Sequence, residues 1–194
     1  EVDLPKALST ALERIADLFD LSTSWVFLLD EQTQRYYAAA AYGLPPALSE
    51  HPRRLGGTCY CLDTYRAGDD NIAANISAIT CTRLKDLKEG TEGLRYHASI
   101  PLHANNKHLG VLNVASTDWR KIGPADLSLL HTVGDIVSMA IERARLFRQS
   151  AEIGALNERT RLARDMHDTV AQELAAITLQ LETAEALLNN DLDT

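Results

Sequence analysis

The chain has 194 residues, 45% of them hydrophobic, and a formal net charge of −8, room for one ordinary domain with an appendage or for two small ones. No apolar run approaches the ~20 residues that span a bilayer, no charged-then-apolar leader precedes the first helix, and so acidic a surface argues against nucleic acid and anionic lipid as partners. Cysteines number three, Cys59, Cys61 and Cys81; an odd count argues against a disulfide framework and for a reducing, cytoplasmic setting with a non-disulfide role for at least one thiol. The chain opens on Glu1 rather than Met, as a processed or excised piece does.

In chain order, Leu4, Leu8, Leu12, Ile15, Ala16 and Phe19 recur at helical spacing and predict an amphipathic helix over 4–20, with Pro5 tolerated in its first turn. Ser24–Asp30 is rich in strand formers, and a polar turn separates it from a second strand at Arg35–Tyr42, which Gly43-Leu44-Pro45-Pro46 ends. Residues 43–57 read as loop. A short helix is predicted at Thr58–Arg66, after Gly56-Gly57, and a turn at Gly68–Asn71; residues 72–93 are ambiguous. Arg95–His103 reads as a strand in which Pro101 signals an edge or a bulge. Asn105-Asn106 is a hairpin turn signal, and His108–Ser116 is the strand that returns.

From Pro124 the period changes. Leu127, Leu130, Val133, Val137, Ala140, Ala144 and Phe147 recur every three or four residues, and a second stripe runs from Leu162 through Met166, Val170, Leu174, Ile177, Leu181 and Ala184 to Leu188. The polar stretch between them contains no Pro, and Gly154, which costs ~1 kcal/mol against Ala, is its one weak point. One helix from about 124 to about 189 follows, on the order of 100 Å long at 1.5 Å per residue. A stripe of that length needs another helix to cover it, most simply the same helix of a second chain, so a homodimer with a parallel coiled coil over 124–189 is expected.

The run Arg161-Leu162-Ala163-Arg164-Asp165-Met166-His167-Asp168-Thr169-Val170-Ala171-Gln172 resembles the phosphoacceptor helix of two-component sensor histidine kinases. Within them it is similar to the nitrate-sensor and membrane-fluidity-sensor subfamily, whose motif is His-Asp-x-x-x-Gln. The preceding part, through Gly93-Leu94-Arg95-Tyr96-His97-Ala98-Ser99-Ile100-Pro101-Leu102 and Leu109-Gly110-Val111-Leu112-Asn113-Val114, resembles a GAF domain. The resemblances imply an α+β chain: a GAF sensor domain over 1–147 with an antiparallel sheet flanked by helices, a linker at 148–160, and the first helix of a dimerisation and phosphotransfer domain at 161–194. They imply His167 as phosphoacceptor, Asp168 as the group that orients its ring or accepts its proton, and Gln172 as the group that positions water for dephosphorylation of a response regulator. ATP belongs in the family to a separate domain; no glycine-rich nucleotide box precedes Thr194, so this stretch is expected to be inactive alone.

The histidine chemistry is consistent with that. Phosphoryl transfer needs a nucleophile in line with the γ-phosphate and free of its proton, and a neutral imidazole nitrogen serves near pH 7. Arg159, Arg161 and Arg164 beside Glu158 and Asp165 read as a solvated helix face rather than a phosphate site.

Three soft thiols, two in C-x-C spacing, suit iron–sulfur or zinc ligation, and the segment resembles the cysteine-bearing part of GAF sensors that hold an iron–sulfur cluster and report oxygen or redox state. A 4Fe-4S or 3Fe-4S cluster on Cys59, Cys61 and Cys81 is expected, with His51, Asp63, His97, His103 or an outside group as fourth ligand. Buried hydrophobe-like cysteines, a redox disulfide, haem on His97 or His103, and a dimeric redox-regulated module without kinase chemistry are the alternatives.

Overall fold

The computed structural model describes residues 3–68, 76–77, 81, 83–84, 89–94, 96–117 and 122–191. Helix α1 (Leu4–Phe19) starts where the Asp3 carboxylate accepts the Lys6 N–H and stops where Asp20 turns left-handed. Strands β1 (Thr23–Leu29) and β2 (Tyr36–Tyr42) follow, then α2 (Pro46–Ser49), a 3-10 turn at Pro52–Leu55, and α3 (Tyr60–Arg66). A two-residue β3 (Ile76–Ser77), β4 (Tyr96–Ala104), β5 (Lys107–Ser116) and α4 (Pro124–Asp191) complete the order. Residues 43–57, expected as loop, thus contain two short helical pieces, each begun by a proline whose fixed φ suits a first helical turn. The Gly68–Asn71 turn lies mostly outside the described residues, as does much of the ambiguous 72–93 stretch.

The sheet is antiparallel in the order β2-β1-β5-β4-β3. Asn105 and Asn106 both take positive φ in the β4–β5 hairpin, the backbone a two-residue type I′ turn requires. Among the described residues β3 pairs with Tyr96 and His97 and not with Pro101, which has no ladder donor to offer, and a register shift follows at Leu102/His103.

Both faces of the sheet are covered, which is why its strands read as unbroken apolar runs. One face carries Val26, Leu28, Ile100, Leu112 and Val114 against Leu8, Leu12 and Ile15 of α1 and Leu130 and Ile141 of α4. The other carries Trp25, Phe27, Val111 and Ala115 against Leu48, Leu55, Leu62, Tyr65, Leu84, Leu94 and all three cysteines. Tyr65 is fixed there by a 2.6 Å hydrogen bond from its hydroxyl to the Leu102 carbonyl.

The chain divides into two compact units, Glu1–Arg145 and Leu146–Thr194. The first contains the sheet, α1 and the opening turns of α4. At its end, Arg145 donates to the Leu29 carbonyl at 2.8 Å and pairs with Glu31 at 3.5 Å. The second consists of the remainder of α4, whose described side chains are all exposed. Among the described residues no helix is long and apolar enough to cross a membrane.

Candidate functional site

Two places carry chemistry. In the second unit, α4 presents His167, Asp168 and Gln172 on exposed turns. The His167 ring is open to solvent, its side chain 84% exposed, and its Nδ1 lies 3.7 Å from Asp168 Oδ1. That is longer than a hydrogen bond. Gln172 follows Asp168 by four residues, one helical turn on the same side. Just upstream, Arg161 bridges Glu158 and Asp165, each at 2.7 Å. The bond between Glu158 and Arg161 lowers the Glu158 pKa and raises that of Arg161, and the two bonds together commit the guanidinium within its own helix.

In the first unit, the second face of the sheet gathers Cys59, Cys61 and Cys81, all free and buried. Cys59 is the residue before α3, in extended backbone (φ −150°, ψ 165°), and Cys61 lies in its first turn. The Cys61 Sγ is 3.2 Å from His97 Nε2. His97 reaches the cluster from β4 by strand alternation, along with Ser99, whose hydroxyl donates to Asn113 Oδ1 at 2.7 Å. Burial first, and then the Arg83 charge, push the His97 pKa down to about 4, so the ring is neutral at pH 7. Its Nδ1 is buried with no hydrogen-bond partner among the described residues, as is Trp25 Nε1.

Arg83 orders this site. Its Nη1 donates to the carbonyls of Arg54 (2.6 Å) and Gly56 (2.8 Å), and its Nη2 to that of Gly57 (3.2 Å). The guanidinium lies 4.5 Å over the Phe27 ring, and among the described residues no carboxylate pairs with it. Gly56 and Gly57, which precede Cys59, thus offer their carbonyls to an arginine. The two thiols beside it separate in acidity. A hydrogen bond from Cys61, then the Arg83 charge, hold Cys59 down to about 6 against the opposing pull of burial. The same bond, with burial, pushes Cys61 up, and burial pushes Cys81 up.

Of the four side chains considered as a fourth ligand, His97 lies against a cysteine. His51 and Asp63 are exposed, and His103 packs on Tyr65 at the far end of the hairpin. Three sulfurs and an imidazole nitrogen are soft donors suited to iron or zinc. As placed, however, Cys61 is engaged by Cys59 and His97, and among the described residues no three His, Cys, Asp or Glu side chains form a group that could hold a metal ion. Sequence reasoning missed Arg83, Trp25, Ser99 and Asn113. The signal for Asn113 was present, as a polar residue inside the apolar run of β5 asks for a buried partner. Arg83 sits two residues beyond Cys81 in the ambiguous segment and gave none.

Residues 1–142 match the GAF domain family and residues 158–194 the histidine kinase family. The chain is 34% identical over 195 residues to the sensor histidine kinase YhcY of Bacillus subtilis (strain 168); the match covers 97% of this chain and 51% of YhcY, so the chain spans about half the length of that curated relative. Its fold resembles the GAF domains of phosphoenolpyruvate-protein phosphotransferases from Acinetobacter (TM-score 0.56, 23% identity, 75% of this chain and 86% of that one) and from Coxiella burnetii (TM-score 0.59, 18% identity, 77% and 88%). The chain therefore belongs to the GAF domain family, and continues into a segment of the histidine kinase family.

Proposed function

We propose that this chain is the sensory and phosphoacceptor portion of a two-component sensor histidine kinase. The observation that carries the reading is the His167-Asp168-x-x-x-Gln172 motif, exposed on α4 within the segment that matches the histidine kinase family. A nitrogen of the neutral His167 ring attacks the γ-phosphorus of ATP held on a separate domain. A P–N bond forms, the P–O bond to ADP breaks, and the ring's other N–H passes its proton towards the Asp168 carboxylate. Gln172 holds a water in line with the phosphoryl group of a response regulator for its removal. Two copies pair through the 124–189 helix. The test is to mix the chain with the ATP-binding domain of the same kinase and γ-labelled ATP. Label is expected on the wild-type chain and lost in His167→Gln; label retained by that variant overturns the assignment.

The GAF domain supplies the input, and the reading that the geometry supports is redox sensing at the buried thiols. The 3.2 Å contact of Cys61 Sγ with His97 Nε2, inside the buried cluster that also holds Cys59 and Cys81 but, among the described residues, no group of ligands that could hold a metal ion, favours thiol chemistry. An iron–sulfur cluster on Cys59, Cys61 and Cys81 is the competing proposal, favoured by the gathering of all three cysteines in one cluster. Visible absorption with iron and sulfide assays after anaerobic purification decides between them. Stoichiometric iron and sulfide would replace the thiol reading, and a colourless, metal-free protein would retain it.

A further inference from the structure

Phosphoryl transfer moves a group whose negative charge is spread over three oxygens, and a protein speeds it by placing cations and N–H donors against that charge. Upstream of His167 stand three arginines, Arg159, Arg161 and Arg164, and the structure separates them. Arg161 is already engaged, holding Glu158 and Asp165 at 2.7 Å each. Arg159 precedes His167 by eight residues, about 12 Å along the helix axis at 1.5 Å per residue. Arg164 precedes it by three, about 5 Å along the axis and about 60° around it, the spacing at which helix side chains meet. It is exposed and enters no ion pair among the described residues.

The surroundings of Arg164 suit an anion that arrives from outside. Asp168 is the acid one turn further on, but its Oδ1 lies 3.7 Å from His167 Nδ1, so that carboxylate sits beside the ring. Ala163 and Ala171, four residues before and after His167, put only methyl groups above and below it. Arg164, Asp168 and Gln172 follow one another at intervals of four, which lines a cation, a carboxylate and an amide along one side of the helix, next to the histidine. Of these three, the arginine alone carries the charge that a phosphoryl group needs.

We propose that Arg164 is a catalytic residue of the phosphoryl transfer at His167, its guanidinium donating two N–H groups to oxygens of the phosphoryl group. That role rests on the phosphoacceptor reading of His167 above. As the ring nitrogen attacks, the P–N bond forms, the P–O bond breaks with its electron pair leaving on ADP, and the ring releases one proton. A group with two negative charges is then left on the imidazole. Arg164 makes and breaks no covalent bond in this step. Its planar fork matches two phosphoryl oxygens at once, which the ammonium of a lysine cannot do.

The test uses the full chain with the ATP-binding domain of the same kinase and γ-labelled ATP. Arg164 lies on an exposed helix face, and Ala and Lys are helix formers as good as Arg, so its variants keep their fold. With the domain saturating, Arg164→Ala is expected to lower the maximal labelling rate by about tenfold to a hundredfold, and Arg164→Lys, a point charge without the fork, to fall between. Phosphoramidate gives its phosphoryl group to histidine with loss of ammonia and needs no nucleotide-binding domain. It is expected to label His167 about threefold more slowly in Arg164→Ala, the order of an exposed ion pair, with the exposed His51 and His131 as references in the same sample. A maximal rate with ATP that Arg164→Ala leaves unchanged overturns the assignment. So does an unchanged phosphoramidate rate, since Arg164 then acts on the docking of the domain and not on the phosphoryl group. The phosphoacceptor reading fails separately. If His167→Gln retains the label, the acceptor is another residue and both readings fall; if His167→Gln loses the label while Arg164→Ala keeps the parent rate, the acceptor stands and the role of Arg164 falls.

Discussion

His97 carries a neutral imidazole into the apolar face of the sheet, and pH should expose the cost. Its folded pKa, about 4, lies below the ordinary 6.5 because of burial and the Arg83 charge. The unfolded chain therefore binds the extra proton first as pH falls. The stability His97 contributes is fully present above about 6.5 and is lost progressively on the way down to about 4. The denaturation midpoint of the GAF unit should fall across that window, by about 3 kcal/mol in total from this residue, and His97→Gln should flatten the slope. Hydrogen bonds from Thr33 hold the Asp30 pKa below the ordinary carboxylate value, so Asp30 adds its own loss at the acid end, and the difference between the parent chain and His97→Gln is what reads His97. A slope unchanged by His97→Gln would mean that another group dominates. At this scale the sequence was legible where chemistry is local. His167, Asp168 and Gln172 form a linear motif, and the segment that carries it, 158–194, matches the histidine kinase family. The neighbourhood of Cys59 was not legible, since Arg83, His97 and Ser99 reach it from separate elements, and proximity of that kind is a product of strand register.

Among elements, α4 shows two glycines with opposite consequences. At Gly134 an added Cβ would meet Ile100 Cγ2 at 2.8 Å, because the helix lies close over β4 and Ser138 turns its hydroxyl back to the Gly134 carbonyl. Gly134→Ala should cost the GAF unit about 1–3 kcal/mol through overpacking, read as a lower denaturant midpoint. At Gly154 nothing lies within 4 Å, so Gly154→Ala should stabilise its helix by up to ~1 kcal/mol, read as increased helicity of the C-terminal unit on heating. The helix itself was legible from its three-and-four spacing, and the described α4, Pro124–Asp191, brackets the expected span. The two short helical pieces within 43–57 were not. Four-residue helices are too short to show a period, and the prolines that begin them look the same as prolines that end a strand.

For the whole molecule, the two compact units predict separable responses. Leu162, Met166, Val170, Leu174, Ile177 and Leu181 are all exposed on the second unit, and the proposed homodimer covers them. Ile177→Asp would bury an unpaired carboxylate in that interface, costing several kcal/mol and weakening association by about a hundredfold or more. Sedimentation should show monomers at concentrations where the parent chain is dimeric. Because Ile177 lies outside the Glu1–Arg145 unit, the thermal transition of the GAF core should not move. A coupled loss of both would overturn this separation.

The same six residues define more than a contact. They follow one another by four, four, four, three and four positions along α4. At about 100° per residue, they fan out over about 120° of the helix circumference. A two-stranded seam uses a narrower line than that, whereas a helix inside a bundle of four meets two neighbours and needs such an arc. His167 falls about 20° beyond the edge of the fan, on the side of Leu174. The His167 ring thus stands at the rim of that apolar arc, open to solvent, the position that the proposed phosphoacceptor role requires.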